Sequence, residues 1–518
     1  MPNNTMVDQL KKLGITKEKE YDILLVNFGN IDSDSDQYLY EYFLDDDYVQ
    51  KVVYSDKYFV SGRKGTGKTA LYRWIKYSEM KHGYQCFNMN LTDLNQADFG
   101  SLSDDNKPSN SVYQTVWEYT ILCEIARMIV NDQNSYFHSV DFQELRQYIN
   151  FFYGNTTLDM HKLILEFTTK KGFSLFGPPL KAYYGKSENY TVDKSKFVSL
   201  NKVNKRLSDL IINYLMENDE KMFVLQFDGL DNDYNYEAFD NYKKIIISLL
   251  TAIYDLNNSF RSKSIGLKVI AYLRSDIFRA VHDHHPNSAK WTFLMMELDW
   301  SVKIEREFKH CKLKKLIDYR IRRSLPSLSK DVDAFEHLFS QMTSNNDQSS
   351  QQYFVSYLKR TMIRPRDLIA LCIYTQNHVK FSKSYDSDVE KAIRKEYISW
   401  FWSEISNEIN TIVNPEILKR FLHKLENKMR SYEEGKHIYE HFCETEKALL
   451  NNKTKSIFSY QDLMEQLFKF GIIVNVQKRY EKTFVYYSVI RNPLLVFNYK
   501  LEFQVNECLR DLNQLHYL

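Results

Sequence analysis

The eight residues Gly62-Arg63-Lys64-Gly65-Thr66-Gly67-Lys68-Thr69 match the pattern G-x-x-x-x-G-K-[ST] at every fixed position, and no other stretch constrains the fold as much. The pattern carries meaning only between a strand and a helix. Here the apolar Tyr58-Phe59-Val60 leads in with strand character, and Ala70-Leu71-Tyr72-Arg73-Trp74-Ile75 leads out with helix character. Glycines 62, 65 and 67 let the backbone curl until successive N–H groups converge. The helix that follows turns its unpaired amides and positive dipole end to the same point, so an anion is expected there. In this reading Gly62, Arg63, Lys64, Gly65, Thr66, Gly67, Lys68, Thr69 and Ala70 line the phosphates of ATP, Lys68 reaches the β- and γ-phosphates, and the Thr69 hydroxyl holds Mg²⁺.

Such a loop needs an acidic partner for the metal. Met222-Phe223-Val224-Leu225-Gln226-Phe227-Asp228 is an apolar run that ends in a carboxylate, as a buried parallel strand would, and ligands of open α/β sheets sit at carboxyl ends of strands. Asp228 is therefore expected beside Mg²⁺, and Asp231 beside the attacking water; the competing reading makes Asp231 a helix cap. Cys86-Phe87-Asn88-Met89-Asn90 and Lys268-Val269-Ile270-Ala271-Tyr272-Leu273 read as further strands. Lys68 and Asp228 are separated by far more than one crossover unit, which predicts an insertion over about 95–205.

These residues carry a resemblance. GRKGTGKT and FDGLDND resemble the Walker A and Walker B motifs of the signal-transduction ATPases with numerous domains (the STAND group) and their AAA-type relatives. The chain is more closely similar to a bacterial P-loop ATPase family. The similarity runs through the Asn27-Phe28-Gly29 turn, the acidic helix ending Tyr42-Phe43, Leu273-Arg274-Ser275-Asp276-Ile277-Phe278, Leu298-Asp299-Trp300 and Arg364-Pro365-Arg366-Asp367. It implies an α/β P-loop NTPase core with a parallel sheet, a helical insertion and lid, and a C-terminal helical region. It also implies a catalytic set of Lys68, Asp231 and Arg274, with Arg274 or Ser275 sensing the terminal phosphate; a surface pair of Arg274 with Asp276 is the alternative. Arg364 or Arg366 would carry the lid to the nucleotide, Arg366 preferred, against a purely structural helix start. STAND proteins commonly follow the second aspartate with Glu; Asn232 stands there in this chain, which points to low turnover.

Composition narrows the classes. A net charge of +2 gives no global field for nucleic acid or an anionic membrane. The six dispersed cysteines form no C-x-x-C pair, so neither a zinc knuckle nor a disulfide framework is expected. The first residues are polar, and Ile245-Ile246-Ile247-Ser248-Leu249-Leu250 is too short to span a bilayer, so it reads as a buried helix and the cytoplasm as the compartment. His282-Asp283-His284-His285 lacks helical ligand spacing, and Asp32, Asp34 and Asp36 lack the Gly and Glu of a calcium loop, which leaves a solvated acidic face.

The expected organisation is an N-terminal helical segment (1–50), the ATPase core (51–300), a helical lid (301–380) and a C-terminal helical and winged-helix region (381–518). The stretch from Lys309 to Arg323 reads as an amphipathic helix with a basic outer face, a solvated lid surface or a contact for nucleic acid or an acidic partner. The helix 461–470 followed by a hairpin suggests the winged helix, but Asp462 and Glu465 on it argue against DNA readout. The expected activity is slow ATP hydrolysis driving a conformational switch, in bacterial (anti-phage) defence, through self-association or a separate effector protein. The competing expectation is a DNA-acting ATPase of the origin-recognition or helicase-loader type.

Overall fold

The computed structural model describes residues 22–90, 109–132, 139–152, 200–218, 220–230, 239–282, 288–300, 311–340, 350–381, 387–409, 413–446, 459–480, 483–492 and 495–517. The chain folds as two compact units, one spanning Asp45–Leu298 and the other joining the residues up to Leu44 with those from Asp299 onward.

The first unit is built on five parallel strands, β1 (Phe59–Gly62), β2 (Tyr84–Asn90), β3 (Met222–Asp228), β4 (Leu267–Arg274) and β5 (Met295–Glu297), in the order β2-β3-β4-β1-β5. Every residue of β1 and β4 is buried, as a parallel sheet covered on both faces requires. Alternation assigns the two faces. Phe59, Phe223, Leu225, Phe227, Val269, Ala271 and Leu273 join the large core with helices α2 (Ser109–Asn131), α3 (Val140–Phe152), α4 (Leu200–Glu217) and α5 (Phe239–Ser262). The opposite face, with Val60, Gln226 and Tyr272, lies under α1 (Lys68–Tyr77), whose Tyr72 ring meets the Tyr272 ring edge-on with centroids 5.6 Å apart.

Within the expected insertion, about 95–205, α2 runs through the main core: Trp117, Tyr119, Ile121, Leu122, Ile125 and Ile129 are all buried, and the Trp117 indole donates to the Ile245 carbonyl of α5 at 3.2 Å. A helix apolar on nearly every side has no stable position except inside. The Ile245–Leu250 run is part of α5 and buried in the same core.

The second unit begins, in space, with the N-terminal segment. His337 and Asp22 join at 2.6 Å, Gln376 donates to the Ile23 and Val26 carbonyls at 2.7 Å each, and the Asn27 amide donates to Ser324 at 2.9 Å. Residues 22–44 are therefore one body with the helices α7 (Lys312–Ser324), α8 (Ala334–Ser340), α9 (Ser350–Lys359), α10 (Pro365–Phe381) and α11 (Ser387–Ile409), whereas α6 (Ser275–His282) belongs to the first unit. The core that these share continues into α12 (Pro415–Lys424), α13 (Tyr432–Thr445) and α14 (Tyr460–Lys469). A three-stranded antiparallel sheet closes this part, β6 (Ile473–Tyr480), β7 (Thr483–Tyr487) and β8 (Glu502–Val505), ordered β7-β6-β8. One buried core thus runs across the expected division at 380/381, and residues 22–44 belong to the same unit.

Of the acidic stretch expected to face solvent, Asp32 and Asp34 are exposed, but Asp36 is a buried anchor. Asp36 accepts the amides of Asn30 and Tyr38 at 3.1 Å and the Tyr42 hydroxyl, while the Arg320 guanidinium of α7 stacks 4.3 Å from the Tyr42 ring centroid and donates to the Phe28 carbonyl. Gly29 sits against this group at φ +86°, where a Cβ would lie 2.4 Å from the Tyr42 hydroxyl. Gly29→Ala should therefore destabilise the second unit by about 2–4 kcal/mol, from the left-handed backbone and the overpacking together. Chemical denaturation measures this, and an unchanged midpoint would contradict the packing.

Candidate functional site

The carboxyl edge of the parallel sheet brings the sequence-predicted residues of the first unit together. Gly62, last in β1, pairs with Arg274, last in β4, while Phe227 pairs with Ala271, itself opposite Phe59. Asp228 therefore ends β3 on the same edge, two strands from β1, at a lateral spacing of about 10 Å. Asp228 is buried, and Gly229 at φ +82° turns the chain away from it. Asp231 lies outside the described residues, as do 283–285 of the histidine run.

The loop between β1 and α1 is shaped by its own bonds. Thr66 closes a turn by donating its amide (3.2 Å) and hydroxyl (2.8 Å) to the Arg63 carbonyl, and a Cβ on Gly62 would lie 2.3 Å from that hydroxyl oxygen. Gly65 and Gly67 adopt φ of +81° and +94°, which side chains rarely accept. A Cβ on Gly67 would meet nothing within 4 Å, so the loop opens there onto space just ahead of α1. Lys68 folds its buried ammonium back over the loop and donates to the Gly62 (3.0 Å) and Arg63 (3.3 Å) carbonyls. Thr69 and Ala70 follow in the first turn of α1, half-buried.

Arg274 is buried at the sheet edge and not on the surface. Its Nε donates to Asp276 Oδ1 at 3.1 Å and its Nη2 to Oδ2 at 2.6 Å. Burial works to raise the Asp276 carboxyl, but the Arg274 charge and bonds, the Ile277 amide and the Lys68 charge hold it below its ordinary value. Ser275, the other sensor candidate, is buried at the start of α6.

Beneath this edge lies a polar ladder that sequence reading missed. Gln226, two residues before Asp228 on the same face, donates its amide to Asn88 (2.9 Å), to the Cys86 sulfur (3.0 Å) and to the Tyr72 carbonyl of α1 (3.3 Å), and accepts the Tyr272 hydroxyl at 2.5 Å. Burial pushes the Cys86 thiol up to about 12, so it stays protonated. One carboxamide thus ties β2, β3, β4 and α1 together. The only signal in the sequence is a lone Gln inside an apolar strand. Gln226→Leu strands the buried Tyr272 hydroxyl and should cost about 1–3 kcal/mol in urea unfolding; a neutral outcome would mean that the ladder carries no stability.

The remaining predicted site residues have other work. Arg364 is fully buried, with Nε on Asp367 at 2.9 Å and Nη1 on Glu408 at 2.5 Å; burial opposes its charge, and the two carboxylates more than restore it. Arg366 donates to Glu404 at 2.9 Å. Both arginines are thus engaged by carboxylates of α10 and α11. Several basic side chains of α7 are also engaged internally, while Lys312 and Lys315 are exposed. Lys314 bridges Asp318 (2.5 Å) and Asp333 (2.8 Å), Arg322 donates to the Ser329 and Val332 carbonyls, and Arg323 donates to the Glu41 carbonyl.

Among the described residues no three His, Cys, Asp or Glu side chains gather as a metal site of their own, and no helix is long and apolar enough to cross a membrane. Residues 311–405, from the residue before α7 into α11, match the family model described as the FunZ-associated C-terminal helical domain, so this part of the chain is similar to that domain. No curated protein matches the chain.

Proposed function

We propose that the chain is a P-loop protein that binds ATP with Mg²⁺, hydrolyses it slowly and uses the bound state as a conformational switch. One observation carries this reading: a glycine loop with a buried lysine at the start of a helix, and a buried aspartate two strands away on the same sheet edge. The amides that open α1 and the Lys68 ammonium suit the β- and γ-phosphates, and the space beside Gly67 leaves room for the chain of phosphates to approach the backbone. Asp228 and the Thr69 hydroxyl fit Mg²⁺, which binds through few protein oxygens together with phosphates. When bound, that ion neutralises charge between the β- and γ-phosphates. Arg274 stands where a terminal phosphate would be read, beside Gly62. Asp231 is proposed to orient the attacking water.

The C-terminal elements support a winged-helix module: α12, α13 and α14, then the β6–β7 hairpin, with β8 paired on the far side of β6. The exposed face of α14 is acidic, with Asp462 at its cap and Glu465 accepting the Tyr499 hydroxyl. This favours a switch over the DNA-acting alternative. By the resemblance given above, the switch serves bacterial defence, and it acts through a second copy of the chain or a separate effector.

The experiment is equilibrium titration of a fluorescent ATP analogue with and without Mg²⁺. Lys68→Ala should abolish binding in a folded protein, and Asp228→Asn should remove the part of the affinity that depends on Mg²⁺. Wild-type affinity in Lys68→Ala would overturn the reading.

A further inference from the structure

We infer that Asp276 is a positioning residue for Arg274, and that through this pair the site distinguishes a nucleoside triphosphate from a diphosphate. The inference rests on the nucleotide reading above and adds to it the group that makes terminal-phosphate recognition selective.

A free arginine side chain is a poor reader of a single phosphate, because gripping it costs the rotamer freedom of a long chain. Here that freedom is already lost. Asp276 takes Nε and Nη2 of Arg274 in a fork at 3.1 and 2.6 Å, which fixes the plane of the guanidinium and uses two of its five N–H donors. The backbone fixes the origin of the side chain as well, since Arg274 ends β4 directly opposite Gly62, where the loop leaves β1. Asp276 is itself anchored, at the first turn of α6, by the Ile277 amide, and its carboxylate also feels the Lys68 charge. Arg274 lies at the edge where the γ-phosphate would end, so its alignment acts on a triphosphate and leaves a diphosphate largely unaffected.

Loss of the carboxylate has a second, opposing effect. Removing a negative charge near the loop strengthens the hold on any phosphate, so affinity for ATP alone is a poor readout. The ratio of the two affinities cancels this effect and any general loosening of the fold.

The test measures dissociation constants of a non-hydrolysable ATP analogue and of ADP, both with Mg²⁺, for wild type, Arg274→Ala, Asp276→Asn and the double variant, with melting temperatures as a control of folding. Wild type should prefer the triphosphate. Asp276→Asn should cut that preference about tenfold, the worth of one charge-assisted hydrogen bond, to the level of Arg274→Ala, and the double variant should fall no further. If Asp276→Asn does not fold, Asp276→Glu, which keeps the charge and displaces the fork, should lower the preference with ADP affinity kept. A wild-type ratio in the folded Asp276 variant, or an independent further loss in the double variant, would overturn the inference. Equal affinities in wild type would overturn it alone, and absence of all nucleotide binding in wild type would overturn the nucleotide reading with it.

Discussion

The pairing of β1 with β4 is the constraint on which the candidate site depends. A parallel pair places the carboxyl ends of two strands side by side, so the residue that opens the glycine loop and the residue that ends β4 become neighbours, although more than two hundred positions separate Gly62 from Arg274 in the sequence. Interposing β4 between β1 and β3 then sets Asp228 about 10 Å from the loop, a gap suited to phosphates and a metal ion rather than to direct contact between protein groups. Gln226 and Tyr272 hold that arrangement from below, because their bonds run across the strands and into α1.

The second unit is held by buried charge. Arg364 with Asp367 and Glu408, and Arg320 with Tyr42 and Asp36, are networks in which removal of one member leaves the others desolvated, at about 3–5 kcal/mol for a buried pair. Such networks add specificity of arrangement more than net stability. Arg320 selects the N-terminal segment as its partner, and Arg364 fixes α10 against α11. The region similar to the FunZ-associated helical domain therefore depends on residues 22–44, which precede it by nearly three hundred positions.

Much of the first unit was legible in the sequence because its signals are local. The loop spacing, the apolar run ending at Asp228 and the runs of β2 and β4 each announce themselves within a few residues. β5 did not, since Met295-Met296-Glu297 is short and carries no alternation, and β8 is equally brief. The burial of α2 and α3 was not legible, because chain distance reports topology and not burial. The partners of Arg364 and Arg366 were hidden for a related reason: Glu408 and Glu404, which engage them, lie on the next helix, and nothing near the arginines in sequence shows it. The internal bonds of Lys314 and Arg322 on α7 were hidden as well, because their acceptors are backbone carbonyls and distant carboxylates.

Calorimetric titration of AMP, ADP and ATP, each with Mg²⁺, into the wild-type chain tests the central claim most directly. If the Gly62–Thr69 loop grips the β-phosphate with Lys68, ADP and ATP bind and AMP, which lacks that group, does not. Equal binding of AMP, or no binding of any of the three, would contradict the account.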